Sequence, residues 1–402
     1  MENKDNIKSI GGKFRDKNRV GIVTMYYKSC NYGGLLQAYA LCHFLNENGY
    51  DAKQICYDFY GKERNLLQTK HNDVRKYLRI IRRIIKKRLI TADNRKHGVS
   101  NLESARRETC KAFRDGIPHT FQVYNDSDIA ETQDLFDCFI TGSDQVWNPI
   151  GYRPVFFLKF VSDKRKKKIS FAASTSNNNL TDDVKSIYHD NLKDFDLISV
   201  REKSDATVLQ EIMDLPVHWV LDPVFLLDKE QWMMQCSNPF DANYRPYLFC
   251  YFLGDDLRER EMAAQYGKKH GLTLVTIPYL QMNYRECDEF FGDIQLYDVD
   301  PTGFLGLIQG ADCVFTDSFH ATAFSIIFNK QFVVFGRSDH PEMLERIRSI
   351  TMLFNCENRL LADYIQDVEC IEKLMIDGRD IVYQSSEFNI LLIESMKVLD
   401  LM

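Results

Sequence analysis

A histidine follows a short apolar segment in the second half of the sequence. The run DCVFTDSFHATAFSIIFN predicts a strand that ends at Thr316 and a helix that begins near His320. Asp317 or Ser318 could cap this helix by accepting from its exposed N–H groups. A helix N-terminus attracts anions and disfavours a charged imidazole, so a neutral His320 could exchange a proton beside a bound phosphate. In the alternative interpretation Asp317 is only a cap and His320 packs under a loop.

Two arginines stand at the ends of other predicted strands. Arg337 ends the strand QFVVFG, and Arg201 follows the strand FDLISV directly before a helix. A guanidinium can bind a phosphate or a carboxylate through two parallel hydrogen bonds, so either arginine could contribute to the same anion site. The alternative for Arg201 is a salt bridge between the two halves of the chain.

A polar loop follows the apolar strand in DLFDCFITGSDQVWNP. Asp144 could accept the proton of a sugar hydroxyl, and Trp147 could stack on the sugar ring. Gln145 and Asn148 lie in the same loop and are predicted to bind the same acceptor. In the alternative interpretation the loop is a polar turn and Trp147 belongs to the core.

Two adjacent glycines follow the first predicted strand, in the loop Asn31-Tyr32-Gly33-Gly34. Gly33 and Gly34 would let the backbone approach a phosphate closely, and Asn31 could cap the next helix or bind a hydroxyl. The spacing is not that of the dinucleotide motif G-x-G-x-x-G, so a plain tight turn is the alternative.

Apolar strands and amphipathic helices alternate over most of the chain, which predicts an α/β protein with two doubly wound parallel sheets. At 402 residues the chain is long enough for two domains. We place the boundary where the composition turns polar near Asn238-Pro239 and Arg245-Pro246, which gives domains at residues 1–235 and 236–402. The segment LDPVFLL is interpreted as structural, and the C-terminal segment from His340 is predicted to be mostly helical.

The composition excludes several classes of protein. Apolar residues make up 45% of the chain and charged residues 27%, as in a soluble globular protein, and no apolar run reaches the roughly 20 residues of a membrane span. The N-terminus does not resemble a signal peptide, so we expect a cytoplasmic protein. The 11 cysteines include no C-x-x-C pair, which argues against a metal site or a disulfide framework. A net charge of −6 gives no indication of nucleic acid binding.

Residues 72–90 form a basic run with apolar side chains at helical spacing. Such a helix could contact an anionic membrane surface at the inner face of the membrane. The alternative is that it packs against its own domain with its charges in solvent.

The segments NYGGLLQAYAL, FITGSDQVWN, SVREKSD, LDPVFLL and TDSFHATAFSIIFNKQFVVF together resemble the polysaccharide pyruvyl transferase family. The resemblance implies two Rossmann-like domains in a GT-B-like arrangement, with the active site in the central cleft. It also implies that phosphoenolpyruvate is the donor substrate and that no cofactor or metal takes part. The acceptor would be a sugar of a surface polysaccharide or of its lipid-linked or nucleotide-linked precursor, on which two hydroxyls form a cyclic ketal.

The resemblance assigns roles to individual residues. His320 matches the motif histidine that would protonate the methylene carbon of the donor, Arg201 matches an arginine near the donor phosphate, and Asp144 lies in the segment of the acceptor-side base. The resemblance leads us to expect an arginine at the position of Ser318, so Arg337 or Lys330 could supply the missing cation, or this branch could use another donor. A GT-B glycosyltransferase with a nucleotide-sugar donor and a non-catalytic sugar- or phosphate-binding protein are the alternatives.

Overall fold

The computed structural model describes residues 18–59, 93–94, 96–149, 152–176, 180–239, 246–280, 284–337, 342–361, 367–377 and 385–400. We call residues 18–239 the first half and residues 246–400 the second half. The basic segment at residues 72–90 lies outside the described residues.

Eleven strands are described, six in the first half and five in the second. Those of the first half are β1 Arg19–Val23, β2 Asp51–Gln54, β3 Cys138–Asp144, β4 Lys167–Ala173, β5 Ile198–Val200 and β6 Val217–Trp219. Those of the second half are β7 Tyr247–Tyr251, β8 Thr273–Thr276, β9 Ile294–Gln295, β10 Cys313–Thr316 and β11 Gln331–Val334.

The α-helices of the described residues lie between these strands and after the last of them. Those of the first half are α1 Tyr32–Glu47, α2 Val99–Asp115, α3 Asp182–Leu192, α4 Lys203–Gln210 and α5 Lys229–Met233. Those of the second half are α6 Leu257–His270, α7 Glu286–Glu289, α8 Pro301–Gly310, α9 Phe319–Ile327, α10 Glu342–Leu353, α11 Val368–Asp377 and α12 Ser386–Asp400.

Each half contains one parallel sheet. The strand order is β2-β1-β3-β4-β5-β6 in the first half and β11-β10-β7-β8-β9 in the second. Most of these strands are buried along nearly their whole length, which explains their continuous apolar sequences. The strand order reverses between β1 and β3 and again between β7 and β10. Ligands of such sheets bind beyond the carboxyl ends of the strands at these reversal points.

The two halves share buried contacts. The Tyr32 hydroxyl of α1 donates to the carbonyl of Val299 at 2.8 Å, and its ring stacks on Phe304 of α8 at 4.8 Å. Arg106 of α2 donates to the carbonyls of Pro278 and Tyr297 in the second half. The largest cluster of buried apolar side chains accordingly contains residues of both halves.

The last helix does not follow the division of the chain at residue 235. Helix α12 packs against β6 and the 3₁₀ turn Pro223–Leu226 of the first half. The Ser395 hydroxyl of α12 accepts from the backbone N–H of Leu221 at 2.9 Å. The sheets lie on either side of the predicted boundary, but residues 386–400 contribute to the core of the first half.

Candidate active site

His320 lies where the first turns of two helices meet. It is the second residue of α9 and faces Gly33, the second residue of α1. A Cβ atom on Gly33 would lie 2.0 Å from Nδ1 of His320, so only glycine leaves room for the imidazole. The N-terminal partial charges of α1 and α9 therefore act on one buried side chain, which is 10% exposed.

The caps of these helices fix the backbone around His320. Ser318 caps α9 by accepting from the N–H of Ala321, and Asn31 caps α1 by accepting from the N–H of Gly34 at 3.1 Å. Asp317 is not a cap, because its carboxylate accepts instead from the N–H groups of Leu253 and Gly254 at 2.7 and 2.6 Å. Asp317 thus joins the start of α9 to the loop after β7.

Asp222 is the carboxylate nearest to the imidazole. Its Oδ2 lies 3.7 Å from Nε2 of His320, a distance that is an ion-pair contact but too long for a hydrogen bond. The same oxygen accepts from Ser143 Oγ at 3.0 Å and from Arg201 Nη1 at 2.8 Å. Among the described residues, Nε2 of His320 has no hydrogen-bond partner, and this atom is buried beside Asp222.

The neighbours of Asp222 keep its carboxylate ionised. Burial raises the pKa of Asp222, but His320 and Arg201 outweigh this effect, so the pKa lies well below its usual range. Sequence reasoning missed this residue because its segment, LDPVFLL, contains Pro223 and an apolar run that indicate only a structural turn. Its contact with His320 joins the two halves and has no local sequence signal.

Two buried arginines lie against the ring of Phe319. The Cζ atoms of Arg201 and Arg346 lie 4.4 and 5.5 Å from the ring centre. Arg201 Nε contacts Glu202 Oε1 at 2.9 Å, and Arg346 Nε contacts the same oxygen at 3.3 Å. Arg346 also lies 3.8 Å from Asp144. The alternative interpretation of Arg201 was a salt bridge between halves, but its ion-pair partners belong to the first half and it is Arg346 that bridges the halves.

The pKa shifts of the two arginines follow from this crowding. Burial lowers the pKa of Arg201, but Glu202 and Asp222 raise it further than burial lowers it. The pKa of Arg346 is lowered by burial and by the nearby Arg201. Sequence reasoning also missed Arg346, which stands in the ordinary amphipathic helix α10 without any motif.

We call Asp144, Arg201, Glu202, Asp222, His320 and Arg346 the buried charge cluster. It contains three carboxylates and two guanidiniums, so a protonated imidazole would bring its charge to zero. The neutral state of His320 that the sequence suggests stays a prediction. The imidazole lies beside the Asp222 carboxylate and at the starts of two helices, a setting in which a histidine can take part in proton transfer.

The loop after β3 contributes Asp144 to the cluster but not Trp147. Asp144 has φ +67°, in the left-handed region, and its Oδ2 would lie 3.6 Å from a Cβ on Gly34. The Trp147 indole is 1% exposed, donates to the carbonyl of Phe156 and stacks on Phe157. The prediction that Trp147 stacks on a sugar is corrected, because a buried indole presents no free face.

The remaining predicted residues are divided between the rim of the site and other parts of the molecule. Half-buried Gln145 and Asn148 bond to each other at 3.3 Å. Arg337 lies at the carboxyl end of β11, 3.7 Å from Asp317, which places it beside the start of α9. Lys330 lies at the opposite, amino end of β11 and donates to the carbonyl of Gln309, so it cannot supply a cation at His320.

Two features are absent from the described residues. In the part of the chain that the structure describes, no three His, Cys, Asp or Glu side chains come together as a metal-binding group. No helix within the described ranges is long and apolar enough to cross a membrane.

Two facing Rossmann-like domains define the class of protein, which is the GT-B fold. The UDP-N-acetylglucosamine 2-epimerase of Methanocaldococcus jannaschii superposes with a TM-score of 0.52 at 11% identity, covering 94% of this chain and 99% of that one. The epimerase of Rickettsia bellii gives a TM-score of 0.51 at 11% identity, covering 96% and 95%.

Within this class the sequence defines the family. The family model described as polysaccharide pyruvyl transferase matches residues 31–340, which is most of the chain. The chain belongs to the polysaccharide pyruvyl transferase family and is a transferase. No curated protein sequence matches it significantly.

Proposed function

We propose that this transferase moves a pyruvyl group from phosphoenolpyruvate to two hydroxyls of a saccharide, forming a cyclic ketal. One observation is the main support. The His320 imidazole lies at the first turns of both α1 and α9, with Nε2 unbonded among the described residues and 3.7 Å from the Asp222 carboxylate. An acid between two helix N-termini suits a donor that is an anion and that must be protonated on carbon.

The reaction balances with His320 as the only acid. Nε2 gives its proton to the methylene carbon of phosphoenolpyruvate, and the adjacent carbon becomes electrophilic. A sugar hydroxyl adds there and loses its proton to Asp144. The C–O bond to phosphate then breaks, and the second hydroxyl closes the ring and gives its proton to the departing phosphate. Asp144 passes the first hydroxyl proton back to the imidazole, which restores both residues. The N–H groups at the starts of α1 and α9 would stabilise the phosphate.

Arg201 and Arg346 are proposed as positioning residues. Both guanidiniums are buried and already bonded to carboxylates, and the cavity beside them has a volume of about 30 Å³, room for a single water. They hold Asp222 beside His320 and Asp144 near α1. Arg337 is the cation proposed to contact the donor, because it lies at the rim next to Asp317.

The experiment is phosphate release from phosphoenolpyruvate, measured with a panel of lipid-linked and nucleotide-linked sugars. We expect release to require a sugar and to fall by about 10²- to 10⁴-fold in His320→Gln. His189→Gln is the control, because His189 lies on α3 with its side chain 47% exposed. Equal rates for His320→Gln and the parent protein would exclude His320 as the acid.

A nucleotide-sugar donor is the second candidate. The fold supports it, since a second structure of the M. jannaschii epimerase, with a TM-score of 0.51, contains UDP-GlcNAc and UDP. Thermal unfolding separates the two donors: phosphoenolpyruvate should raise the unfolding temperature under the first proposal, and UDP under the second.

A cytoplasmic location, with residues 72–90 at the inner face of the membrane, completes the proposal. A basic segment would bring the enzyme to a lipid-linked acceptor. Sedimentation with anionic liposomes tests this, and we expect binding at low salt that disappears as salt screens the charges. An absence of binding at low salt would reject the membrane contact of residues 72–90.

A further inference from the structure

A second, larger pocket lies between the two halves. It has a volume of about 340 Å³, at the lower end of the range of ligand pockets. The first half contributes His97 and Leu102 at the start of α2. The second half contributes Tyr279 after β8, Tyr284 before α7 and Tyr297 after β9. We call this space the tyrosine pocket. It lies beyond the carboxyl ends of β8 and β9, at the same edge of the second sheet as the reversal point between β7 and β10.

Two stacked pairs of planar side chains form part of the wall of the tyrosine pocket. The rings of His97 and Tyr284 stack at 3.7 Å, and the guanidinium of Arg285 lies 4.2 Å from the ring centre of Tyr279. The Tyr284 hydroxyl donates to Glu289. Flat faces with polar edges match a sugar ring, which presents C–H groups on its faces and hydroxyls around its rim.

Two buried polar atoms beside the pocket have no partner among the described residues. Arg106 is 4% exposed; its Nε and Nη1 donate to the carbonyls of Tyr297 and Pro278, and its Nη2 makes no hydrogen bond. Oδ2 of Asp288, a lining residue, also makes none, whereas its Oδ1 accepts from Arg260. Asp288 is the one of the two that lines the pocket, and an unpaired buried acceptor is costly, so a ligand hydroxyl that donates to its carboxylate would be favourable.

The charges at the pocket do not exclude a charged ligand. Lys96 and Arg285 are the lining cations, and Asp288 and Glu289 the lining carboxylates. The Asp288 carboxylate is already paired with Arg260 at 2.7 Å. The lining therefore suits a saccharide either with or without an attached phosphate.

The tyrosine pocket is joined to the helix that bears His320. Arg285 of the pocket donates to the carbonyl of Gly254 at 3.0 Å, and the N–H of Gly254 donates to Asp317 at 2.6 Å. Asp317 immediately precedes Ser318, the cap of α9. A saccharide in the pocket would therefore lie along the same edge of the second sheet as the proposed acid.

We propose that the tyrosine pocket binds a saccharide unit of the acceptor, with Tyr279 and Tyr284 as ring platforms and Asp288 as a hydroxyl partner. This rests on the proposed function, in which the acceptor is a sugar. Because both halves form the pocket, a bound saccharide also fixes their relative position.

The test is direct saccharide binding by the full chain on a glycan array, followed by calorimetry with the glycan that binds. We expect the parent protein and His320→Gln to bind the same glycan. Leu102→Trp, which fills the pocket, and Tyr284→Ala, which removes a platform, should each weaken binding at least tenfold. Leu135→Trp is the matched control, because Leu135 lies outside the pocket and is 43% exposed. Tyr284→Phe keeps the ring and should retain most of the affinity.

Each outcome decides between the two proposals. Undiminished binding in Leu102→Trp and Tyr284→Ala, or no glycan bound by the parent protein, overturns the pocket assignment. If glycan binding depends on the pocket but no phosphate is released from phosphoenolpyruvate, the pocket assignment is supported and phosphoenolpyruvate is rejected as the donor. Where transfer is measurable, the pocket variants should raise KM for the sugar while KM for phosphoenolpyruvate and kcat stay the same. Should Leu102→Trp fail to fold, the comparison of Tyr284→Ala with Tyr284→Phe decides.

Discussion

Asp222 couples the stability of the buried charge cluster to its chemistry. Its carboxylate accepts from Arg201, from Ser143 and from the N–H of Val224. An amide at this position would leave the Arg201 guanidinium buried without its closest anion. We expect Asp222→Asn to lower the free energy of unfolding by about 3–5 kcal/mol, as for other broken buried ion pairs.

Denaturant unfolding over a range of pH tests the expected loss in Asp222→Asn. The pKa of Asp222 is lowered in the folded state, so its contribution is present above the unfolded pKa of about 4 and is lost as the pH falls further. The difference between the parent and Asp222→Asn should shrink below pH ~4. Asp190→Asn, at a side chain that is 65% exposed, should differ from the parent by no more than ~0.5 kcal/mol. If Asp222→Asn also lowered the free energy of unfolding by no more than ~0.5 kcal/mol, the ion pair between Asp222 and Arg201 would be contradicted.

Glu259 has the opposite pH dependence. Burial raises the pKa of this α6 carboxyl to about 9, and Asp317 and Asp256 add to the effect. Both of its oxygens lack hydrogen-bond partners among the described residues. Stability is therefore fully present below the unfolded pKa of about 4.5 and is lost as the pH rises towards 9.

Glu259→Gln should remove this dependence. We expect the parent protein to lose thermal stability between pH 6 and 9, and the variant to be the more stable of the two at pH 9, by on the order of a few kcal/mol. Glu261→Gln, at an exposed position of the same helix, should follow the parent curve. Parallel curves for Glu259→Gln and the parent would mean that Glu259 is already ionised at neutral pH.

At the scale of elements, the approach of α1 to α9 depends on one missing side chain. A methyl group on Gly33 would overlap the imidazole of His320. Alanine favours a helix over glycine by about 1 kcal/mol, so an isolated α1 would gain stability from Gly33→Ala. We expect the opposite in the whole protein, with a lower unfolding temperature and at least a tenfold lower kcat. The matched control is Gly267→Ala in α6, where the nearest atom to a Cβ is 3.4 Å away. Parent-like activity in Gly33→Ala would show that the helices can separate freely.

The sequence predicted most of the elements that bring these groups together. Strand β10, the helix start at His320 and the Gly33-Gly34 helix start are all local patterns, and parallel topology puts each loop at the carboxyl edge of its own sheet. The sequence could not predict Asp222 or Arg346, because their roles depend on contacts between segments far apart in the chain. It also could not place Trp147, since a tryptophan after a strand is compatible with a cleft or with a core.

At the scale of the whole molecule, the last described helix, α12, contributes to the stability of the first half. Leu391 is 6% exposed and lines a small cavity together with Phe225 of the first half. We expect Leu391→Ala to cost about 2–4 kcal/mol. Hydrogen exchange should show the lost protection around residues 217–227 rather than in the second sheet, although that sheet is closer in sequence.

The neighbouring Ile390 is the control for Leu391→Ala. It lies on the same helix but is 62% exposed, so Ile390→Ala should change stability by less than ~0.5 kcal/mol. A loss of protection confined to the second half in Leu391→Ala would contradict the packing of α12 on the first half.

The position of α12 also has a consequence for biosynthesis. Residues 18–239 are made before residues 386–400. Helix α1 of the first half covers one side of Pro223–Leu226, but the side that contacts α12 stays uncovered until residues 386–400 have been made. Domains normally fold in order of synthesis. The nascent first half therefore lacks the packing of α12 until synthesis is nearly finished, and its exposed apolar surface makes it prone to aggregate. A chain stopped before residue 386 would release such a half permanently, and supplying Ser386–Asp400 as a separate peptide could complete it.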